Sequence, residues 1–430
     1  MSNQIDYRQW ILHNGLRVVC AHRPWSKTFA AILHLRVGFR DEPDRQTGIS
    51  HLVEHLVFHG PNGPLTEDLG RQGLELNGQT AWEETLFPAV GHADLLDGAL
   101  DFFLHVLEPI AVDPRVLGDE LQILSHELAG HVDTAGDRKL RRVWAQILGD
   151  AELARKPAST TTRDLPRMQP EHAERFHHEW YAAGNASLTI VSPVATDELS
   201  AIIDNKLGAI TARPGPQSRR PFDRDIPPPL TVRHFDGSHA LVMVGHPFKP
   251  SKEFPLPVIK ILNDYLGAGS YSVLFRRIRH ERQMAYQVAS ELATFGHWNV
   301  LNVSAVVARQ RVYEAIEQIV QEISRMQQHG LDASDLEMAR SRVLQSFDLL
   351  EDSPHNLCES LARSEPMPGI GMVATPNAYR QALRSISAEQ VSRACRLFFH
   401  PSRRVVVLMG PVQTQHLFKV KQMLGLTELH

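Results

Sequence analysis

The feature that most constrains this chain is a run of five residues, His51 to His55, which reads H-x-x-E-H. Residues at positions i, i+3 and i+4 of an α-helix share one face, so His51, Glu54 and His55 would project into one small volume. Two neutral imidazoles are good nitrogen ligands for Zn²⁺, and a carboxylate between them is placed to take a proton from a metal-bound water. The pattern therefore predicts a hydrolytic metal site.

The residues around the run predict that it lies on a helix. Thr47 is expected to cap the helix N-terminus, and Gly60-Pro61 is expected to end the helix. The segment shows no strand-like alternation, and its apolar residues have helical spacing: Ile49, Leu52, Val53, Leu56 and Val57.

Chance is the alternative explanation of the motif. The chain contains 23 histidines among 430 residues. At that frequency, an H-x-x-E-H run would arise by chance in roughly 5 to 10% of such chains. The motif alone is therefore insufficient, and a zinc site also needs a third ligand.

The segment from Asp113 to His131 supplies a candidate for that ligand. It opens with a cap-like Asp113 followed by Pro114, and its apolar residues have helical spacing. Glu120 and Glu127 are two helical turns apart, so both lie on one face of the predicted helix. A buried carboxylate is costly unless it is paired, hydrogen-bonded or bound to a metal, and Glu127 as a ligand with Glu120 as its support would give both carboxylates such a reason. The alternative is that both carboxylates face water.

The chain resembles the pitrilysin and insulinase-type zinc peptidases, specifically the single-length members such as the mitochondrial processing peptidases. The resemblance runs nearly end to end, through Asn14 to Val19, Gly48 to Gly60, a strand with Asn77, Thr80, Glu83 and Thr85, and the segment with Glu120 and Glu127.

The resemblance implies a role for each candidate residue. It implies one Zn²⁺ per chain, bound by His51, His55 and Glu127. It also implies that Glu54 is the general base acting on the zinc-bound water and that Glu120 supports the ligands.

The two halves of the chain have similar ends. Residues 188–194 read L-T-I-V-S-P-V and residues 406–412 read V-V-L-M-G-P-V, an offset of 218 positions. This offset indicates a duplication and carries the zinc helix onto the segment around Tyr271 to Arg279, where no His-Glu-His set occurs. Only the first half is therefore predicted to hold a metal.

A proline-rich stretch at residues 211–229 predicts a linker between two domains. The N-terminal zinc-binding domain is predicted to span residues 1–210, and the C-terminal homologous domain residues 230–430. Each half alternates strands with long amphipathic helices, which predicts an α+β fold. The resemblance implies two homologous sandwich-like domains, each with a mixed, mostly antiparallel sheet and helices, that form one half of a clamshell peptidase.

In the C-terminal half, Arg279 and Tyr286 are seven positions apart. By the resemblance, these two side chains grip the substrate carbonyl and stabilise the oxyanion of the tetrahedral intermediate. A guanidinium and a hydroxyl aimed at a developing negative charge make chemical sense. From the residues alone, the alternative is a surface Arg and a half-buried Tyr.

The resemblance also implies how substrate and partners are arranged. In single-length members, the metal domain of one subunit faces the Arg/Tyr domain of another across a closed chamber, so a homodimer and a heterodimer with a paralogous subunit both remain open. A peptide substrate would add as a strand to a sheet edge near Asn77, Thr80 and Glu83.

The composition indicates an ordinary folded chain with no nucleic-acid or membrane partner. It is 43% hydrophobic and 22% charged, with a net charge of −4 and no basic block. No stretch of about 18 apolar residues occurs, and the first six residues lack a secretion signal, so a cytoplasmic location is expected. The three cysteines are far apart, which indicates neither a disulfide framework nor a cysteine metal site.

Two other functions remain open. The chain would be a non-catalytic or regulatory partner subunit if it bound peptide without cutting it, although the intact Glu54 argues against this. It would be a scaffold if the metal were structural, although such zinc sites usually have four Cys and His ligands, whereas three ligands leave a position for water. Processing of a peptide precursor or leader and general peptide degradation also both remain open.

Overall fold

The computed structural model describes residues 5–60, 63–64, 66–130, 143–149, 163–213, 216, 228–234, 236–295, 298–364 and 375–426. The chain divides into two compact units. The first unit comprises residues 1–138, 156–221 and 348–375, and the second comprises residues 139–155, 222–347 and 376–430. Each unit is a mixed, mostly antiparallel sheet packed with helices, which confirms the predicted α+β fold class.

The first unit contains a seven-stranded sheet with the strand order β1-β2-β9-β3-β8-β6, in which β7 also pairs with β8. Its strands are β1 (Asp6–Ile11), β2 (Arg17–His22), β3 (Thr28–Leu35), β6 (Glu75–Leu76), β7 (Gln79–Thr80), β8 (Thr85–His92) and β9 (Ala186–Ser192), with a separate short pair, β4 (His59–Gly60) and β5 (Gly63–Pro64). Its helices are α1 (Ile49–Leu56), α2 (Thr66–Arg71), α3 (Leu96–Leu107), α4 (Pro114–Gly130), α5 (Pro170–Trp180), α6 (Thr196–Lys206) and α10 (Pro354–Ala362).

The second unit contains a five-stranded sheet with the order β10-β14-β11-β13-β12. Its strands are β10 (Leu230–Arg233), β11 (His239–Phe248), β12 (Ala285–Phe295), β13 (Trp298–Ala308) and β14 (Val405–Met409). Its helices are α7 (Leu256–Leu266), α8 (Val312–His329), α9 (Ala333–Asp352, whose C-terminal end belongs to the first unit), α11 (Pro376–Ser385), α12 (Ala388–Phe398) and α13 (Thr414–Met423).

The two sheets share one pairing pattern. In the first, β9 lies between a parallel β2 and an antiparallel β3, so that Thr189 pairs with Val19 and with Ile32. In the second, β14 lies between a parallel β10 and an antiparallel β11, so that Val407 pairs with Thr231 and with Met243. The offset between Thr189 and Val407 is 407 − 189 = 218, the value read from the sequence.

The prediction of which segment in the second half corresponds to the zinc helix is wrong. Ile32 and Met243 hold equivalent places in β3 and β11, and their offset is 243 − 32 = 211. The first helix after β11 is therefore the counterpart of α1, and this helix is α7 (Leu256–Leu266), not the segment from Tyr271 to Arg279. The single offset failed because the spacing between the strands differs in the two halves. Helix α7 contains no histidine.

Strand β3 is buried on both faces, which explains its nearly continuous apolar sequence. One face, with Phe29 and Leu33, packs in the larger core with α1 and α3. The other face, with Ala30 and Ile32, packs against residues of α10, among them Leu357. A helix from the C-terminal half of the sequence thus completes the core of the first unit.

The second unit has the reciprocal arrangement. The helical segment 143–148, from the N-terminal half, packs on its sheet: Ile147 lies against Gly245 of β11, where a Cβ would be 2.7 Å away. The hydroxyl of Thr231 donates to Gln146 at 2.6 Å, and the rings of Trp144 and Phe295 lie 5.1 Å apart. Adding the offset of 211 to residues 143–148 gives residues 354–359, which lie in α10.

Each compact unit therefore contains a segment from the other half of the sequence: residues 348–375 belong to the first unit and residues 139–155 to the second. The prediction, with continuous domains ending at residue 210 and beginning at residue 230, did not include this exchange. Most of the predicted linker at residues 211–229 lies outside the described residues. Within the described part of the chain, no helix has the length and apolar character needed to cross a membrane.

Candidate metal centre

Helix α1 carries the H-x-x-E-H residues and begins differently from the prediction. Its N-cap is Gly48, with φ 95°, a left-handed conformation that favours glycine. The cap comes from Glu42, whose buried carboxylate accepts hydrogen bonds from the Gly48 amide at 3.0 Å and from the amide and hydroxyl of Ser50 at 3.2 and 2.5 Å. Thr47, the predicted cap, instead donates its amide to Asp164 at 3.3 Å. A carboxylate satisfies these amides and also interacts favourably with the positive end of the helix dipole.

The three predicted ligands converge. The Nε2 atoms of His51 and His55 lie 3.2 Å apart, and the Glu127 Oε2 lies 3.8 Å from the first and 3.6 Å from the second. Ligand atoms held at about 2.0–2.1 Å around a tetrahedral zinc ion are about 3.3 Å from one another. The three atoms therefore have nearly the spacing that a zinc ion requires, and the donor set fits this metal.

Helix α4 brings the two glutamates to this cluster, as the seven-residue spacing predicted. The helix spans Pro114–Gly130, so the end of the predicted segment at His131 falls outside the described residues. Glu120 is only 7% exposed. The Glu127 side chain is 42% exposed. The alternative that both carboxylates face water is therefore wrong for Glu120.

Glu120 also determines which nitrogen of His55 is free for a metal. Its Oε2 lies 2.9 Å from the His55 Nδ1, and because a carboxylate only accepts, the nitrogen is the donor. The proton is thus on Nδ1, and the lone pair of Nε2 faces the other ligands. The second oxygen of Glu120, Oε1, accepts from the Nε2 of His59 at 2.7 Å.

The electrostatics of the site favour a cation. Burial by itself would lower the pKa of His55, but the hydrogen bond to Glu120 and the charges of Glu54 and Glu127 raise it above its usual value. The same negative field that favours a proton on an imidazole favours a divalent ion among the three ligand atoms.

Glu54 lies on the same helix and is 5% exposed. Burial raises the pKa of its carboxyl, opposed by the hydrogen bond from Thr80 and by the nearby His55. The hydroxyl of Thr80 donates to the Glu54 Oε2 at 2.6 Å. Gly78 packs so closely that a Cβ there would lie 2.2 Å from the Glu54 Oε1. The segment with β7 therefore contacts the candidate general base directly.

The predicted substrate-binding residues surround the short edge strands. Asn77 follows β6 and donates its amide to the Pro88 carbonyl at 3.1 Å, and Thr80 ends β7. Glu83 is half-buried and accepts an ion-pair hydrogen bond from the buried Arg40. Thr80 thus contacts Glu54 and Glu83 anchors the loop, while their predicted role in binding substrate stays a prediction.

Arg279 and Tyr286 lie in the second unit and flank the start of β12. Tyr286 is 76% exposed, which excludes the half-buried Tyr of the alternative interpretation. The strand register shifts at this residue, because Ala285 pairs with Val307 while Gln287 pairs with the next residue, Val306. Such a β-bulge re-aims a side chain.

The guanidinium of Arg279 lies 4.9 Å from the ring centroid of Phe275, one turn earlier in a π-helical segment, Phe275–Glu281. Arg279 also lines a cavity of about 310 Å³, together with Leu241, Gln287, Val288, Ala289, Ser304 and Val306.

Two of the residues that build the metal centre were not predicted. Glu42 caps α1 from the preceding loop, and His59 contacts Glu120 from β4. Neither lies on the helical face that carries the motif. The signal in the sequence that could have indicated Glu42 is an acidic residue shortly before a helix whose first residues include Gly48, which has no side chain to cap the helix.

Comparison with known proteins shows which family the chain belongs to. The family model described as Insulinase (Peptidase family M16) matches residues 17–160, and that described as Peptidase M16 inactive domain matches residues 167–343. The chain therefore belongs to the insulinase family of peptidases, family M16, as the sequence resemblance implied. The range matched by the second description, residues 167–343, contains none of the predicted metal ligands.

A curated relative and two solved structures extend the comparison. An uncharacterized zinc protease of Mycobacterium leprae is 26% identical over 366 residues, covering 82% of this chain and 81% of that protein. A protease from Helicobacter pylori has a TM-score of 0.76 at 17% identity, and the match covers 94% of this chain and 100% of that protein. A peptidase M16 inactive domain from Pseudomonas fluorescens has a TM-score of 0.77 at 16% identity, covering 95% and 98%. At these identities, the two structures establish a shared fold.

Proposed function

We propose that this chain is a zinc-dependent endopeptidase with one Zn²⁺ held by His51, His55 and Glu127. The observation that carries the proposal is the triangle of ligand atoms, with sides of 3.2, 3.6 and 3.8 Å, beside the buried carboxylate of Glu54. Three protein ligands leave one tetrahedral position open, which is the arrangement of catalytic sites. A zinc ion there would supply Lewis acidity and lower the pKa of a bound water.

The chain's own residues perform the proton transfers. Glu54 accepts a proton from the attacking water and delivers it to the leaving amine, and its raised pKa favours the first of these two steps. Thr80 holds the carboxylate in one orientation by donating to Oε2. Glu120 holds the ring of His55 through Nδ1.

Substrate contacts follow from the exposed groups on each unit. In the first unit, the edge strands near Asn77 and Thr80 offer main-chain groups to an added peptide strand, with Glu83 anchoring the loop beside them. In the second unit, the exposed Tyr286 and Arg279 carry a hydroxyl and a guanidinium suited to an oxyanion. We expect peptides and unfolded segments as substrates, not folded proteins.

The partner and the biological role belong to the same proposal. The two sets of groups would act together inside a closed chamber formed by two subunits, either a homodimer or a heterodimer with a paralogous chain. Processing of a peptide precursor or leader in the cytoplasm is one role for such an enzyme, and general degradation of peptides is the other.

A second candidate function is that of a non-catalytic partner subunit of the same fold. It is favoured by one comparison, the inactive-domain description that matches residues 167–343. The three converging ligand residues and the buried Glu54 favour catalysis instead, because a subunit that only binds peptide needs neither the metal site nor a general base.

The experiment is cleavage of a mixed peptide library by the purified chain, with zinc quantified and cleavage products identified by mass spectrometry. Wild type is expected to bind one zinc and cut. Glu54→Gln is expected to bind zinc without cutting, whereas His51→Ala, His55→Ala and Glu127→Ala should lose the zinc as well. Bound zinc without cleavage in the wild type would point to a missing partner subunit, and absence of bound zinc would overturn the zinc endopeptidase and favour the non-catalytic function.

A further inference from the structure

His59 touches the metal centre without belonging to the set of ligands. It lies in β4, just beyond the end of α1, and its side chain is 26% exposed. Its Nε2 donates to the Glu120 Oε1 at 2.7 Å, while the Glu120 Oε2 accepts from the His55 Nδ1 at 2.9 Å. The two oxygens of one carboxylate thus contact two different imidazoles.

The second contact matters because the last torsion of a glutamate side chain is soft. The torsion between the side chain and the carboxylate plane has broad minima, so one hydrogen bond leaves the carboxylate free to turn about it. A donor on each oxygen removes that freedom. Glu120 then presents a fixed acceptor to the His55 Nδ1, and a fixed ring keeps the Nε2 lone pair aimed at the other ligand atoms.

The backbone of His59 is itself held from two sides. Its carbonyl accepts from the Nε2 of His105, on α3, at 3.1 Å. Its strand pairs with β5, with His59 opposite Pro64 and Gly60 opposite Gly63. The imidazole therefore projects from a fixed main chain toward Glu120, which suits a residue that orients another.

We propose that His59 is a positioning residue, which fixes the carboxylate of Glu120 and through it the imidazole of His55 for binding the metal. The inference rests on the zinc site proposed above. It extends that site from three ligands to a chain of contacts that runs from His55 through Glu120 to His59.

The test compares His59→Leu, which removes the donor, with His59→Gln, whose amide nitrogen can replace Nε2. Zinc affinity is measured by competition with a chromophoric chelator. His59→Leu should bind zinc 10- to 100-fold more weakly, the usual effect of losing such a supporting contact. His59→Gln should stay within a few-fold of wild type, as should the control His92→Leu, which replaces an exposed histidine of the same unit.

A crystal structure of metal-free His59→Leu keeps the inference separate from the proposed function. The carboxylate of Glu120 should rotate away from the His55 Nδ1 in this variant and stay in place in His59→Gln. An unchanged Glu120 in His59→Leu, or equal zinc affinity in all variants, would overturn the role of His59. If the wild type bound no zinc, the proposed function would fail, and the orientation of Glu120 would still decide the inference.

Discussion

The carboxylate of Glu42 accepts a hydrogen bond from the backbone amide of Gly48 at 3.0 Å and so caps, from outside the helix, the segment that carries both of the predicted histidine ligands. The two residues are only six positions apart in the sequence. The contact therefore fixes the first turn of α1, and with it the position of His51, which follows Ser50 directly.

The loss of this cap should weaken both the fold and the metal site. We expect Glu42→Ala to lower the free energy of unfolding by about 1–3 kcal/mol, since three hydrogen bonds to a buried carboxylate are lost. Zinc affinity should fall as well, because the first turn carries a ligand. Urea unfolding and chelator competition measure the two effects. Glu198→Ala, at an exposed position in the first turn of α6, should change neither by a comparable amount.

Thr80 should affect turnover without affecting the metal. Thr80→Val removes the hydroxyl that donates to the Glu54 Oε2 at 2.6 Å. A hydrogen bond to a charged group contributes about 1.5–3 kcal/mol, so kcat should fall roughly 10- to 100-fold while zinc content stays at the wild-type level. Thr80→Ser, which keeps the hydroxyl, should restore most of the rate. A rise in KM with an unchanged kcat would instead assign Thr80 to substrate binding, as the sequence predicted.

Tyr286 should contribute to the rate through its hydroxyl alone. Tyr286→Phe removes one oxygen from an exposed ring and should lower kcat by about 10²-fold if the hydroxyl donates to the oxyanion. Tyr271 supplies a matched control, because it is a tyrosine of the same unit that is 82% exposed. Full activity in Tyr286→Phe, or an equal loss in Tyr271→Phe, would remove Tyr286 from the site.

Two buried histidines should make the protein sensitive to acid. Burial lowers the pKa of His177 from 6.5 to about 4 and that of His246 from 6.5 to about 3. Each folded-state pKa lies below the unfolded value, so the unfolded chain binds more protons as the pH falls. Stability should therefore be highest above pH 6.5 and fall progressively between pH 6.5 and the folded-state values.

His246 gives the sharper test, since it is 1% exposed and neither ring nitrogen has a hydrogen-bond partner among the described residues. We expect His246→Leu to reduce the loss of stability between pH 7.5 and pH 5, measured as the shift of the urea unfolding midpoint. The exposed His239, on the same strand, supplies the control, and His239→Leu should leave the shift as it is in the wild type. An identical pH dependence in His246→Leu would show that the acid sensitivity comes from other groups.

The sequence predicted the ligands because their geometry is local or periodic. Helix geometry places His51, Glu54 and His55 on one face, and the seven-residue spacing does the same for Glu120 and Glu127 on α4. The resemblance to the family then indicated which of the two glutamates is the ligand. The remaining parts depend on contacts between distant segments. His59 reaches Glu120 across 61 positions, and no periodic pattern connects the two.

The sequence also did not predict the backbone conformation of individual residues. The α1 N-cap is the left-handed Gly48, with Glu42 as the capping side chain in place of Thr47, and the strand register shifts at Tyr286. Both depend on backbone angles that residue types restrict but do not determine. The duplication was visible in the last strands, yet a constant offset misplaced the counterpart of α1, because the two halves differ in spacing.

The helices exchanged between the two units bear on the ancestry of the chain. Segment 143–148 and α10 occupy equivalent places at an offset of 211, and each covers the sheet of the other half. A protein of half this length would make the same contacts as a dimer in which each copy packs one helix on the sheet of the other. Fusion of two such copies would make the pairing permanent, and it would leave the second copy free to lose the histidines that α7 lacks.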